Sequence, residues 1–239
     1  MNNNRQIVLI TGANKGIGFA AARELGARGL TVFIGSRDAG RGQEAARTLA
    51  AEKMDVRFVA LDVTSQESID AACEQVKREA GRLDILINNA GISVDSVAQV
   101  TLQGLRRVYE TNVFGPFAVT SAFLPLLVQG RPSIVANISS GLGSLARISS
   151  PSSNSRPPYL SYGSSKTALN AITVYWAEEL KKLGVTIFCV APGFTRTDLN
   201  NNTGTQPPEK PARLIARLVM ESDESRSGGF FDENGPVPW

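Results

Sequence analysis

Short runs of β-branched and aliphatic residues recur along the chain, separated by longer stretches whose apolar positions return every three to four residues. The short runs predict strands at 7–11, 31–35, 56–60, 83–88, 133–138 and 185–190, with a short last strand at 229–231. The longer stretches predict helices at 16–28, 41–52, 66–79, 102–128, 159–183 and 211–220. This alternation of strand and helix predicts an α/β architecture, a doubly wound parallel sheet with helices on both faces. The strands are almost continuously apolar, as in Ile85-Leu86-Ile87 and in the run from Val185 to Val190. Strands of that kind are covered on both sides. No linker divides the chain, so a single domain over residues 1–239 is expected. One low-complexity stretch, 149–158, holds mostly serine and proline and reads as a surface loop.

Composition narrows the chemistry. The 239 residues are 42% apolar, enough for the core of one large α/β domain. A net charge of +3 without a block of Lys or Arg gives little support for nucleic acid as a partner. The chain has no histidine. That removes His metal sites, Ser-His-Asp triads and imidazole acid–base catalysis. Cys73 and Cys189 form no CxxC, so neither a redox nor a zinc motif is present and no metal is expected. The N-terminal residues are polar, and no apolar run reaches the length of a signal core or a membrane span. A cytoplasmic protein with no membrane partner is expected.

Tyr162 and Lys166 stand four residues apart in a predicted helix, on one face and one turn from each other. An ammonium beside a phenol stabilises the phenolate and is expected to pull the tyrosine toward neutrality. Such a pair gives or takes a proton, as carbonyl reduction and alcohol oxidation require. The turn Gly12-Ala13-Asn14-Lys15-Gly16-Ile17-Gly18 follows the first strand and opens the first helix. Its glycines admit a pyrophosphate to the backbone, and the helix N-terminus attracts it. Asp62-Val63 closes the third strand, where the carboxylate either accepts from an adenine amino group or caps the next helix. Asn88-Asn89-Ala90-Gly91 ends the fourth strand and lines the crevice at the carboxyl ends of the strands. At the end of the second strand, Ser36 stands where a NAD-selective site carries an acid, and Arg37 follows. With Lys15 and Arg41, Arg37 supplies cations for a 2′-phosphate, which favours NADP over NAD. Asp38 is expected to turn toward the next helix N-terminus.

Taken in order with Asn112, Ser139-Ser140 and Pro192-Gly193, these motifs make the chain similar to the short-chain dehydrogenase/reductase family, over residues 5–239. Segments 12–18 and 36–42 and the ending from Gly228 to Trp239 look most like its NADPH-dependent carbonyl reductases. The resemblance implies a Rossmann fold and a small carbonyl or alcohol substrate. It implies that Tyr162 donates or accepts the proton, while Lys166 lowers its pKa and holds the nicotinamide ribose. Ser140 is implied to bind the substrate oxygen, and Asn112 to hold a water linked to Lys166. The choice of Ser140 over Ser139 follows the family. Gly12, Asn14, Lys15, Gly16, Ile17, Gly18, Arg37, Arg41, Asp62, Val63, Asn89, Ala90 and Gly91 are implied to surround NADPH. Pro192, Gly193, Thr195 and Thr197 would hold its carboxamide.

The chain departs from the family in one place. Tyr162 lies 22 residues after Ser140, a longer gap than in most members. Animal carbonyl reductases carry a still longer insertion there, linked to a monomeric state. The outer faces of the 102–128 and 159–183 helices carry Ala168, Ile172, Tyr175 and Trp176, which are either interface or core, and the balance leans toward a homo-oligomer (dimer or tetramer). Leu142, Leu145, Phe194 and Leu199 either line the substrate pocket or pack the loops. Two other functions stay open on sequence: a NAD-linked alcohol or steroid dehydrogenase, and a non-catalytic NADP-sensing protein.

Overall fold

The computed structural model describes residues 5–94, 100–130, 133–150 and 159–239. Eight strands form one sheet in the order β3-β2-β1-β4-β5-β6-β7-β8. They are β1 (Ile7–Thr11), β2 (Thr31–Ser36), β3 (Val56–Ala60), β4 (Ile85–Asn88), β5 (Ser133–Ile138), β6 (Val185–Val190), β7 (Phe230–Asp232) and β8 (Gly235–Pro236). All pairings are parallel except β7 with β8. The expected doubly wound α/β sheet is therefore present. Its last strand gains an antiparallel partner that the sequence reading did not include. Asn234 N donates to Asp232 Oδ1 (2.8 Å), and Gly235 sits at φ +116°, which turns the chain back on itself.

The strands are apolar throughout because both faces are covered. Val8, Ile10, Val32, Ile34, Ile85 and Ile87 face α1 (Gly16–Ala27), α2 (Ala39–Ala51) and α8 (Glu209–Met220). The alternate residues Ile7, Leu9, Phe33, Leu86, Val135 and Ile187 face α3 (Gln66–Ala80), α5 (Gly115–Leu127) and α7 (Leu160–Lys181). Local chemistry sets the helix ends. Asp38 caps α2 by accepting from Arg41 N, and Ser65 caps α3 by accepting from Ser68 N. Helix α3 stops at Gly81, which takes the left-handed conformation at φ +74°.

The helix expected over 102–128 is divided. It runs as α4 (Leu102–Tyr109), a π turn over Glu110–Phe114, and α5. Pro116 has no N–H to give the carbonyl of Asn112, so the regular ladder cannot pass that point. Gly115 N reaches back to Glu110 O instead, and the widened turn holds Asn112 fully buried. The loop expected at 149–158 lies mostly outside the described residues. Just before it, a 3₁₀ turn (Gly141–Gly143) and the short α6 (Leu145–Ser149) occupy a stretch with no predicted element.

The strand order reverses between β1 and β4. Ligands bind at such a switch point, beyond the carboxyl ends of the strands. Phe123 of α5 is fully buried against the sheet and helps seat that helix. Phe123→Ala is expected to cost about 3–5 kcal/mol in urea unfolding. A loss below about 1 kcal/mol would show that α5 is not seated by this contact.

Candidate active site and cofactor cleft

The glycine-rich turn is tied to the end of β4 by contacts that leave no room for side chains. Gly12 sits at φ +63°, and a Cβ there would come 2.9 Å from Ala90 Cα. Thr11 Oγ1 accepts from the backbone N–H of Asn89 and of Ala90, each at 3.0 Å. Asn89 Nδ2 returns hydrogen bonds to the carbonyls of Thr11 (2.9 Å) and Gly12 (3.1 Å). A Cβ on Gly18 would strike that amide at 2.4 Å. Asn89 thus spends its donors on holding the turn. Helix α1 begins at Gly16 with Lys15 as N-cap, no side-chain cap and no acidic residue in its first turn. Its first N–H groups are left for an anion, so the cradle fits the pyrophosphate of a dinucleotide. Ile17 packs on the core below, and Asn14 is half-buried in the turn. Gly91 closes the far side: a Cβ there would lie 3.4 Å from Asn112 Oδ1 and 3.7 Å from Lys166 Nζ.

Arg37 and Arg41 are exposed beyond β2. Asp38 faces helix α2, and its second oxygen lies 3.4 Å from Arg41 Nε. Lys15 does not stand free as a cation: its Nζ donates to Asp198 Oδ2 at 2.6 Å. The capping alternative for Asp62 fails. Its carboxylate accepts from Thr64 N (2.9 Å) and Thr64 Oγ1 (2.7 Å), while the cap belongs to Ser65. A turn closed by Ser65 N on Asp62 O separates the two, and only the backbone N–H of Asp62 meets the helix, donating to Ser68 Oγ at 2.9 Å. Val63 is 7% exposed, and both its side chain and its carbonyl oxygen pack against Gly115.

Helix α7 brings Tyr162 and Lys166 to the carboxyl end of β5. Lys166 is 3% exposed, and its Nζ donates to Ile138 O at 2.7 Å. That nitrogen lies 5.6 Å from the centre of the Tyr162 ring. Asn112 Nδ2 donates to Ile92 O (2.9 Å) and Ser165 Oγ (3.0 Å), and its Oδ1 accepts from Ile92 N (2.9 Å). One side chain thus joins the π turn, the β4 loop and α7. Ser140 is the N-cap of the 3₁₀ turn and is hydrogen-bonded to Tyr162. Ser139 points elsewhere: it is buried and donates to Asn170 Oδ1 at 2.6 Å.

The expected drift of Tyr162 toward neutrality is overturned. Burial pushes its hydroxyl up to about 12, against a smaller opposing effect from the Ser140 hydrogen bond. Burial likewise pushes Lys166 down to about 8. The ammonium donates to Ile138 O, and burial is the dominant influence on both groups.

Asn170 was not among the expected residues. It is 2% exposed and bridges Ser139 to Gly143, donating to Gly143 O at 3.2 Å. Thr167 Oγ1 donates to the same carbonyl at 3.1 Å. A Cβ on Gly143 would approach Asn170 Nδ2 to 3.0 Å. The Ser140 turn is therefore clamped on both flanks to the helix that carries Tyr162. The available signal was an amide four residues beyond Lys166, on the same helix face. Beyond the turn, Ser144 Oγ donates to Pro238 O and Ala146 N to Trp239 O (2.8 Å).

After β6, Gly193 takes φ +77°. Gln206 Nε2 bonds Pro192 O (2.7 Å) and Thr195 Oγ1 (3.1 Å), so the Thr195 hydroxyl is turned into its own loop. Thr197 Cγ2 lies 3.3 Å from a Cβ built on Gly16, which brings this loop onto the glycine-rich turn. Leu145, Phe194 and Leu199 are 61%, 50% and 41% exposed, while Leu142 is half-buried against Gly163. Among the described residues no acidic or cysteine cluster is arranged to hold a metal ion, and no helix is long and apolar enough to cross a membrane.

The profile of the family described as short chain dehydrogenase matches residues 6–208. The chain belongs to the short-chain dehydrogenase family. A short-chain dehydrogenase, anuI, of Penicillium roqueforti is 36% identical, over 96% of this chain and 95% of that protein. (+)-Neomenthol dehydrogenase of Arabidopsis thaliana is 30% identical over 93% of this chain and 94% of its own length. Among solved structures, NADPH-bound carbonyl reductase from chicken fatty liver superposes with a TM-score of 0.86 at 28% identity. It covers 98% of this chain and 99% of its own. The protein is accordingly an oxidoreductase of this family.

Asn170→Ala removes the acceptor of the buried Ser139 hydroxyl and one of the two side-chain donors to the Gly143 carbonyl. It is expected to cost about 1–3 kcal/mol in stability and to speed amide hydrogen exchange at 141–144. Unchanged exchange there would show that the clamp does not hold the turn.

Proposed function

We propose that the protein is an NADPH-dependent carbonyl reductase with Tyr162 as proton donor. The observation that carries this reading is the pair of hydrogen-bonded hydroxyls, Ser140 and Tyr162, set against buried Lys166 beside the pyrophosphate cradle. NADPH, when bound, supplies the hydride; the chain supplies orientation, a proton and stabilisation of oxyanion charge. A carbonyl oxygen between the two hydroxyls receives hydrogen bonds from both, and the Tyr162 proton passes to it as negative charge develops. With a pKa of about 12, Tyr162 keeps its proton at neutral pH, which suits an acid for reduction better than a base for oxidation. Lys166, still mostly charged at pH 7, stabilises the phenolate left behind. Asn112 Oδ1 and Lys166 Nζ border the same point above Gly91, a suitable place for the bridging water. The exposed Leu145, Phe194 and Leu199 supply an apolar rim for a hydrophobic aldehyde or ketone.

NADPH is favoured by Arg37, Arg41 and Lys15 around the end of β2 and by Asp38 being committed to helix α2. The carbonyl reductase that superposes on this chain is NADPH-bound. We further propose self-association through α5 and α7. Their outer faces show Phe117 and Tyr175 at 48% and 82% exposure, with Phe114 of the adjoining π turn at 52% and Phe117 stacked on Trp176.

Tyr162→Phe should lower reductive kcat by about 10²–10⁴ while leaving cofactor affinity nearly unchanged; a variant that keeps its turnover removes Tyr162 from the mechanism. Arg37→Asp should weaken NADPH by about tenfold or more and NADH far less, and equal effects would remove Arg37 from the phosphate site. Because Lys166 must be charged, kcat/KM for reduction should hold at neutral pH and fall as pH rises through about 8. A profile flat to pH 10 would contradict the role given to Lys166.

A further inference from the structure

We propose that Asp198 is a built-in competitor for the cofactor 2′-phosphate: its carboxylate holds Lys15 until the phosphate takes that ammonium over, which releases the start of the segment after β6. The proposal rests on the NADPH reading and adds a residue that none of the sequence motifs assigns to cofactor choice.

The geometry is a bridge between the two lips of the cleft. Lys15 is the N-cap of α1, inside the glycine-rich turn. Asp198 opens the 3₁₀ turn Asp198–Asn200 that follows the Pro192-Gly193 segment. The two are 183 residues apart in sequence and 2.6 Å apart in space. Thr197 rests its methyl group against the Gly16 backbone, so the lips also touch beside the ion pair. Asp198 lies in the field of a second cation of the same site. Its carboxyl is held below the usual range chiefly by Lys15, with smaller contributions from a hydrogen bond to the Asn202 side chain and from Arg41. The chain thus places its own anion among the cations that suit a 2′-phosphate.

Two properties make the exchange workable. The Lys15 and Asp198 side chains are 53% and 62% exposed, and an exposed pair of this kind is weak enough to break reversibly. A phosphate monoester carries about −1.5 to −2 charge at neutral pH against −1 for the carboxylate, and offers three acceptor oxygens. It therefore wins the ammonium, whereas a cofactor bearing only a 2′-hydroxyl does not. Release would travel along the chain, because Asn200 holds the backbone of Thr195 and Thr197 through its amide (2.8 and 3.3 Å). Cofactor choice and the seating of the loop next to the substrate are then linked through one ion pair.

The test is calorimetric titration of the full chain with 2′,5′-ADP and with 5′-AMP, at low and high salt, for wild type, Asp198→Asn, Lys15→Met and the double variant. Asp198→Asn should tighten 2′,5′-ADP by about two- to fivefold at low salt, the range of an exposed ion pair, and leave 5′-AMP unchanged. The gain should vanish at high salt and on the Lys15→Met background. In wild type, 2′,5′-ADP but not 5′-AMP should speed hydrogen exchange at 198–202. Weaker or unchanged 2′,5′-ADP binding by Asp198→Asn overturns the competitor role, as does an equal gain for 5′-AMP. A wild type that does not distinguish the two ligands overturns the NADPH reading itself, and the competitor role with it.

Discussion

A buried ammonium on a strand-end carbonyl is the contact around which the rest of the site is arranged. Lys166 is almost fully enclosed and donates to Ile138 at the end of β5. Enclosing a cation is costly unless its hydrogen bonds are met, and the cost is visible in a pKa pushed down to about 8. The bond fixes where helix α7 stands along the sheet, and with it Tyr162 one turn earlier. The Ser140 turn must then approach α7 closely, which Gly143 permits and Asn170 with Thr167 secures. The β4 loop is drawn in by Asn112, which joins Ile92 to Ser165 of α7. Three loops from three strand ends thus depend on the setting of one helix.

The same end of the sheet holds a buried polar row just below the site. Asn88, Asn137 and Cys189 are register partners on adjacent strands. Asn88 Nδ2 donates to Thr120 Oγ1 and Asn137 Oδ1, Asn137 Nδ2 to Thr173 Oγ1, and Cys189 Sγ to Thr173 Oγ1. In an interior otherwise aliphatic, these bonds favour one register of α5 and α7 over sliding alternatives, because a slip would leave several polar groups unpaired. The apolar layer sets the architecture, and the polar row sharpens its alignment where the chemistry sits.

The π turn and the C-terminal strands show how irregular pieces serve a regular sheet. A continuous helix through 110–114 would carry Asn112 past its partners; Pro116 interrupts the ladder and the wide turn holds the amide in place. The β7–β8 hairpin brings Pro238 and Trp239 back to the segment following Ser140, whose Ser144 and Ala146 they bind. The ring of Trp239 stacks on Phe230, 5.4 Å between centres.

Read alone, the sequence determined the α/β class and most element positions, because two-sided burial writes near-continuous apolar strands and helix periodicity survives in a single chain. It also located the glycine-rich turn and the Tyr162–Lys166 pair, since both depend on short spacings along one element. Tertiary structure alone decided what depends on neighbours distant in the chain. It set the pKa values of Tyr162 and Lys166, which follow chiefly from burial rather than from their four-residue spacing. It separated Ser140 from Ser139 by turning one toward Tyr162 and the other toward Asn170. It gave Asp62 a local turn in place of a helix cap, and it paired Lys15 with an aspartate 183 residues away. Spacing fixes which groups share a face of one element, but charge, desolvation and hydrogen-bond partners are properties of the packed assembly of several.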